Sequence, residues 1–308
     1  IRGDLDLSLA NESTAPNGLL RTLLKTITIN STGTGENVLT GETANVIDGD
    51  ITSQGLVATG DENNLLTINI NASQELIVTG HVVFESVVNP ALLIPSDESA
   101  IASLNVTGSA DVTLGSVDTS DDHVDGLNVV NNGTGTLTLT LVGGMEQGSG
   151  DGDIDADDAL SFTGSGDIVL HIEGDVDLSD DVVTAVDAIH LENGASVTLT
   201  AAQVASIGPG DISGTAGGAT ENITIIDLGT TPFDASTLGA NVEVTVVLAA
   251  GIYTLDPASN LADASVLIPA ASTITMTVDQ YMALEDLDGM DASTSKVILT
   301  GLTQAHID

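Results

Sequence analysis

The chain has 308 residues, 45 Asp and Glu against four Lys and Arg, a formal net charge of −41 and no cysteine. Disulfides, thiolate metal centres and cysteine nucleophiles are therefore excluded, and a field of this sign repels phosphate backbones and anionic headgroups, which argues against nucleic-acid and acidic-membrane partners. Hydrophobic residues make up 42% of the chain and mean hydropathy is +0.28, outside the regime of disordered chains, so the chain is expected to fold.

Arg2, Arg21, Lys25 and Lys296 are the only basic partners for all those carboxylates. Like charges on one compact body repel, so the folded state calls for high salt, bound cations or both. Ca²⁺ fits, because carboxylates and carbonyls are its ligands. A salt-adapted organism with an acidic proteome accounts for the same balance, and the two readings are compatible. No 18-residue apolar run is present, so no membrane span is expected. The start at Ile1, with no signal-like segment, is expected of a processed product or a piece of a longer chain.

Strand signals come first in chain order, as short Thr-, Val-, Ile- and Leu-rich runs between turn residues. They are Thr26 to Ile29, Leu65 to Ile70, Glu75 to Thr79, Leu104 to Leu114, Thr136 to Val142 and Asp167 to Ile172. Then come Ala188 to Leu191, Ser196 to Thr200, Ile223 to Leu228, Val242 to Leu248 and Thr273 to Thr277. Asn132-Gly133, Gly148 to Gly152, Asn193-Gly194 and Gly208 to Gly210 read as turns. Many short strands with few helices predict an all-β fold, a β-solenoid or stacked β-sandwich domains with very short capping helices. Strand starts in the second half recur at roughly 20 residues, the period range of solenoids. Alternating Thr, as at Thr136/Thr138/Thr140, reads as the solvent face of strands whose apolar partners point inward.

One repeat is explicit: Ser196 to Ile207 aligns with Thr273 to Leu284, matching Thr198/Thr275, Thr200/Thr277 and Gln203/Gln280. Each copy ends its strand at a Thr-x-x-Gln, a capping box for a short helix. Val204 with Ile207, and Tyr281 with Leu284, then lie three apart on one helical face and are expected to close the end of a β stack. The two prolines of Asn89 to Ser99 suggest a boundary between an N-terminal β-rich domain, 1–90, and a β-rich repeat region, 91–308; Gly143 to Asp158 is a second candidate break.

Four acidic clusters are the candidate metal ligands: Asp118, Asp121, Asp122 and Asp125; Asp151, Asp153, Asp155, Asp157 and Asp158; Asp175, Asp177, Asp180 and Asp181; and Glu285, Asp286, Asp288 and Asp291. Alternating carboxylates around glycines, as in Gly150 to Asp158, can converge on one Ca²⁺ from a tight loop. That segment resembles the later half of an EF-hand or dockerin loop, with Gln147 and Ser149 where the first carboxylates belong. The competing reading is solvated acidic turns. His123 lies among acids, while His171 and His190 fall in strand runs and read as structural.

No Gly-x-Ser-x-Gly, His-Glu-x-x-His or phosphate-binding Gly-x-x-x-x-Gly-Lys occurs. Two carboxylates suffice for a glycosidase, yet the chain has no Trp and only two Tyr and three Phe as sugar platforms, so no enzymatic role is expected. Six Asn-x-Ser/Thr sequons, beginning at Asn11, Asn30, Asn71, Asn105, Asn132 and Asn222, permit glycosylation without indicating it.

The segments Val186 to Leu191, Ala195 to Gln203 and Ile274 to Leu284 resemble repetitive acidic bacterial surface proteins, namely S-layer proteins and large RTX-type adhesins. The resemblance covers roughly the last 120 residues and implies export, β-rich or solenoid domains, Ca²⁺-dependent folding and ordered self-assembly. The expected function is an extracellular structural protein that self-assembles, as a homopolymer stabilised by Ca²⁺, into an S-layer or surface filament. The alternative is an adhesin module that binds a cell-surface glycan or protein.

Overall fold

In the computed structural model, which describes residues 5–6, 26–33, 44–57, 66–88, 100–118, 124–143, 159–216, 219–228, 232–289 and 294–306, the alternating segments become strands that pair in parallel. The chain is largely β, with two short α-helices among the described residues. It divides into two compact units, Ile1–Val176 with Asp180–Asp187, and Asp177–Ser179 with Ala188–Asp308.

The first unit holds β1 (Leu5–Asp6), β2 (Thr26–Ser31), β3 (Asn45–Ile47), β4 (Ile51–Val57), β5 (Leu66–Ala72), β6 (Leu76–Val78) and β7 (Val82–Val88). They are followed by β8 (Ala100–Gly108), β9 (Val112–Asp118), β10 (Val124–Asn131), β11 (Leu137–Val142), β12 (Ala159–Gly164) and β13 (Ile168–Asp177). One sheet runs β12-β10-β8-β5-β2, and a second runs β1-β4-β7-β9-β11-β13 with β3 and β6 joined at β9. Contacts of β4 with β5 and of β7 with β10 pack the two sheets on each other.

Register follows from the alternation. Ile27, Ile68, Leu104, Val129 and Phe162 are successive partners across five strands, and all are buried. Leu76, Val112, Leu137 and Ile168 form the matching buried rank of the second sheet. Because successive side chains face opposite sides, a slip of one residue would turn a whole rank to solvent, so the apolar pattern holds the strands in line. The expected outward placement of Thr138 and Thr140, between buried Leu137, Leu139 and Leu141, is observed.

The corners between sheets repeat one hydrogen-bond pattern. Ser73 and Gln74 both donate their backbone N–H to the Ser31 carbonyl, Ser109 and Ala110 to that of Ala72, and Ser165 and Gly166 to that of Asn131, at 2.9–3.1 Å. The chain enters two of these corners through Gly108 and Gly164, at φ 108° and 130°. A Cβ at either position would land on the carbonyl of the preceding corner, Ala72 or Asn131, so glycine is required there. This corner splits the single strand expected over Leu104 to Leu114 into β8 and β9. At the same level Asn131, fully buried, donates to the Gly135 and Asp167 carbonyls at 3.0 and 2.8 Å and accepts from Gly133 N–H at 3.0 Å.

The second unit holds β14 (Val186–Thr200), of which residues from Ala188 belong here, α1 (Ala201–Ile207), β15 (Ile212–Gly214), β16 (Glu221–Ile226) and β17 (Val242–Val247). The remainder are β18 (Ile252–Thr254), β19 (Ala264–Leu267), β20 (Thr273–Thr277), α2 (Val278–Ala283), β21 (Asp286–Asp288) and β22 (Lys296–Thr300). One ladder runs β14-β16-β17-β19-β21, with β15 also on β14, and another runs β18-β20-β22. Leu199, Ile225, Val246 and Val266 form its buried rank, and Thr198, Thr224, Thr245 and Ser265 the outward one. The turn expected at Asn193-Gly194 is instead a bend inside β14: both residues take positive φ, 50° and 86°, which kinks the strand without ending it. The break expected at 89–99 lies outside the described residues, and β5 and β8, on either side of it, pair in one sheet.

Both capping boxes form. Thr200 and Thr277 accept from the backbone N–H of Gln203 and Gln280, whose side-chain oxygens accept from the threonine N–H in return. Val204 and Ile207 are buried as expected. Tyr281 and Leu284 are not; α2 instead buries Val278 and Gln280, because its short turn presents a different face to β20 and β22.

Two substitutions test this framework by urea unfolding. Phe162→Ala, which empties the fully buried last position of its rank, is expected to cost about 3–5 kcal/mol. Gln280→Ala, which takes the donor from the Asp256 and Ser259 carbonyls and the acceptor from the Thr277 N–H, is expected to cost about 2–4 kcal/mol.

Candidate assembly edge

The stack of the second unit ends, among the described residues, in β22, which pairs with β20 alone. Its register partners show what that does. Met276 of β20 is 1% exposed, whereas Leu299, opposite it on β22, is 43% exposed, because no described strand covers the far side. Ile298 and Leu302 are exposed as well, at 37% and 64%, and α2 adds Tyr281 and Met282. An edge strand presents a row of unpaired backbone donors and acceptors, which is a template for another strand. Residues 294–306 contain Lys296 and no Asp or Glu, although the chain carries 45 acids. Of those acids, 41 lie between residues 26 and 295, a stretch with no Lys or Arg at all.

The segment after β22 is tied back to α2. Thr303 N–H donates to His306 Nδ1 at 3.0 Å, and His306 Nε2 faces Asp279 Oδ1 at 2.9 Å, so the imidazole bridges the tail to the first turn of the helix. Two further histidines lean on neighbouring strands: His190 Nδ1, in β14, pairs with Ser213 Oγ at 3.0 Å, and His81 Nδ1, just before β7, pairs with Ser116 Oγ.

The acidic candidates separate into three groups. Asp121, Asp122, Asp151, Asp153, Asp155, Asp157, Asp158 and Asp291, together with His123, lie outside the described residues. Asp118 ends β9 and Asp125 lies at the start of β10. The rest are placed: Asp175, Asp180, Glu285 and Asp288 are exposed, Asp177 Oδ1 accepts from Ser179 N–H at 2.9 Å, and Asp286 Oδ1 accepts from Leu287 N–H at 2.7 Å. Asp181 Oδ1 accepts from Leu160 N–H at 2.8 Å, at the start of β12. Among the described residues no three His, Asp or Glu side chains converge in a set able to hold a metal.

Asp181 belongs to a pattern. Asp50 accepts from His81 N–H at 2.7 Å, Asp111 from Thr136 N–H at 2.9 Å and Asp187 from Ile168 N–H at 3.0 Å, each at or beside the start of a strand in a neighbouring layer. Carboxylates thus cap the leading donors of strands, a charge-assisted bond stronger than a neutral one.

Tyr253, on β18, is pushed above its ordinary value of 10.0 by burial, with the negative charge of Asp227 adding to the shift. A neutral phenol favoured in the folded state contributes stability that is complete below the unfolded value and lost as pH rises through the folded one. Alkaline titration by ultraviolet absorbance is expected to show one of the two tyrosines ionising above pH 10.0, and Tyr253→Phe to flatten the loss of stability in that range.

No helix of the described residues is long and apolar enough to cross a membrane. The chain matches no protein-family model, no curated protein and no solved structure.

Proposed function

We propose that the chain is a non-catalytic structural subunit that self-assembles outside the cell into an S-layer or surface filament, held together by Ca²⁺. The parallel ladders are taken as coils of a solenoid that is open at its end. The β22 edge carries this reading: it combines unpaired backbone groups, exposed Ile298, Leu299 and Leu302, and a local stretch free of negative charge. A strand from a second copy pairing there would bury the exposed rank and continue the ladder by β-augmentation.

Elsewhere copies repel one another through their carboxylates, with almost no basic side chains to offset them. Ca²⁺ bridging exposed carboxylates such as Asp175, Asp180, Glu285 and Asp288, and those of the Asp151 to Asp158 segment, lowers that repulsion within and between copies.

Light scattering and negative-stain microscopy during a Ca²⁺ titration at fixed ionic strength test the reading. Ordered sheets or fibres that dissolve with EGTA are expected. The pair Ile298→Lys with Leu302→Lys is expected to stay monomeric at the same Ca²⁺ level with a nearly unchanged melting temperature, since both side chains are exposed. A wild-type chain that remains monomeric at every Ca²⁺ concentration overturns self-assembly; assembly by the edge pair equal to wild type overturns the assignment to β22.

A further inference from the structure

The inward rank that begins β16 starts with a carboxylate. Glu221 is 1% exposed and occupies the position that Ile223 and Ile225, also buried, occupy further along the same face. Its register partner is Val242 of β17. Glu221 Oε1 is buried and accepts no hydrogen bond from the protein. A buried carboxylate oxygen left without a partner is costly, more so than a neutral group in the same place. No Lys or Arg occurs between residues 26 and 295, so the segments that build this unit up to its last strand offer Glu221 no basic side chain.

The surroundings are built from oxygen. Glu221 lines a cleft of about 340 Å³ together with Thr215, Thr220, Asn241 and Glu243. Gly214 leaves the room: a Cβ there would stand 2.8 Å from Glu221 Oε2 and would land on the Asn241 carbonyl. Asn241 is held at φ 65° and donates its side-chain N–H to the Gly214 carbonyl at 3.3 Å, which fixes the strand start beside the carboxylate. Thr215 Oγ1 lies 3.0 Å from both the Leu191 carbonyl and Glu192 Oε2 and shares its single O–H between these two acceptors, which leaves its lone pairs to accept. Glu243 pairs in register with Asn222, on the opposite face of the sheet from Glu221, and so adds negative potential at the rim, not a second buried ligand.

A hard cation with oxygen ligands satisfies all of this. We propose that the Glu221 cleft is a divalent-cation site that takes Ca²⁺, with Glu221 Oε1 as the anchoring ligand, neutral oxygens of Asn241, Thr215 and Thr220 beside it, and water completing the shell. Ca²⁺ tolerates an irregular shell of mixed carboxylate, carbonyl and water oxygens, whereas Mg²⁺ demands near-ideal octahedral geometry. A single buried carboxylate gives a weak site, on the order of 10⁻⁴ to 10⁻³ M, the range of extracellular modules. The site lies apart from the acidic clusters along the chain and does not depend on self-assembly.

Amide NMR on the 308-residue chain carrying the Ile298→Lys, Leu302→Lys pair keeps assembly out of the readout. CaCl₂ added at constant ionic strength is expected to shift the amides of Gly214, Thr215, Glu221, Asn241 and Val242 along one saturable curve, with MgCl₂ at least tenfold weaker. Glu221→Gln, of the same shape without the charge, is expected to lose that curve while any shifts in the acidic clusters persist. Absence of saturable shifts at these five amides before Glu221 is replaced overturns the site, whatever the Glu221→Gln variant does. An unchanged curve in folded Glu221→Gln overturns Glu221 as the anchor. Either result leaves the scattering experiment on assembly to stand or fall by itself.

Discussion

Lateral stacking of like side chains in parallel register is the constraint on which the rest of this structure depends. Neighbouring strands in a sheet stand about 4.8 Å apart, so each buried Ile, Leu or Val meets its counterpart directly above and below. The rank from Ile27 to Phe162 is one such column. Its closeness sets the corners, where only glycine passes under the carbonyl of the preceding layer at Gly108 and Gly164. It also makes exceptions conspicuous: Leu299 is exposed because no described strand covers its far side, and Glu221 is a carboxylate on the inward face that Ile223 and Ile225 fill further along β16.

Charge is managed by the same geometry. With outward and inward positions alternating, the acids whose side chains are described, Glu221 apart, stay out of the core, and several take a structural task as caps on the first donor of a neighbouring strand. That use stabilises each layer locally but leaves the summed repulsion in place, since a backbone N–H neutralises no charge. Metal or salt from outside the chain is the natural complement to a body of this composition, and it links the proposed cation site to the proposed assembly through a shared physical need.

The two Thr-x-x-Gln boxes do more than start helices. Gln203 Nε2 donates to the Leu178 carbonyl at 2.5 Å, and Gln280 Nε2 to the Asp256 and Ser259 carbonyls at 2.7 and 2.9 Å. One amide therefore closes a helix start with its oxygen and fastens a chain segment 21–25 residues earlier with its nitrogen. This explains why glutamine, and not glutamate, serves here: a carboxylate has no donor for those carbonyls.

The sequence by itself determined the β character, the alternation that sends Thr outward and Leu inward, and both capping boxes, because each depends on residues within a few positions of one another. A further local signal was legible and went unread: Thr107-Gly-Ser-Ala-Asp111 recurs as Thr163-Gly-Ser-Gly-Asp167, and both copies form the same corner. Only the tertiary structure decided that the strands pair in parallel, that Asn193-Gly194 bends a strand without ending it, and that Val204 is buried while Tyr281 of the matching helix is exposed. It alone singled out Glu221, an unremarkable acid in a chain full of them, by pairing it in register with Val242 and bringing Gly214 against its carboxylate, neither of which is its neighbour in sequence. Pattern along the chain fixes which face a residue takes. Which layer stands above it, and whether any layer does, depends on pairings between strands 20 or more residues apart, which no local pattern specifies.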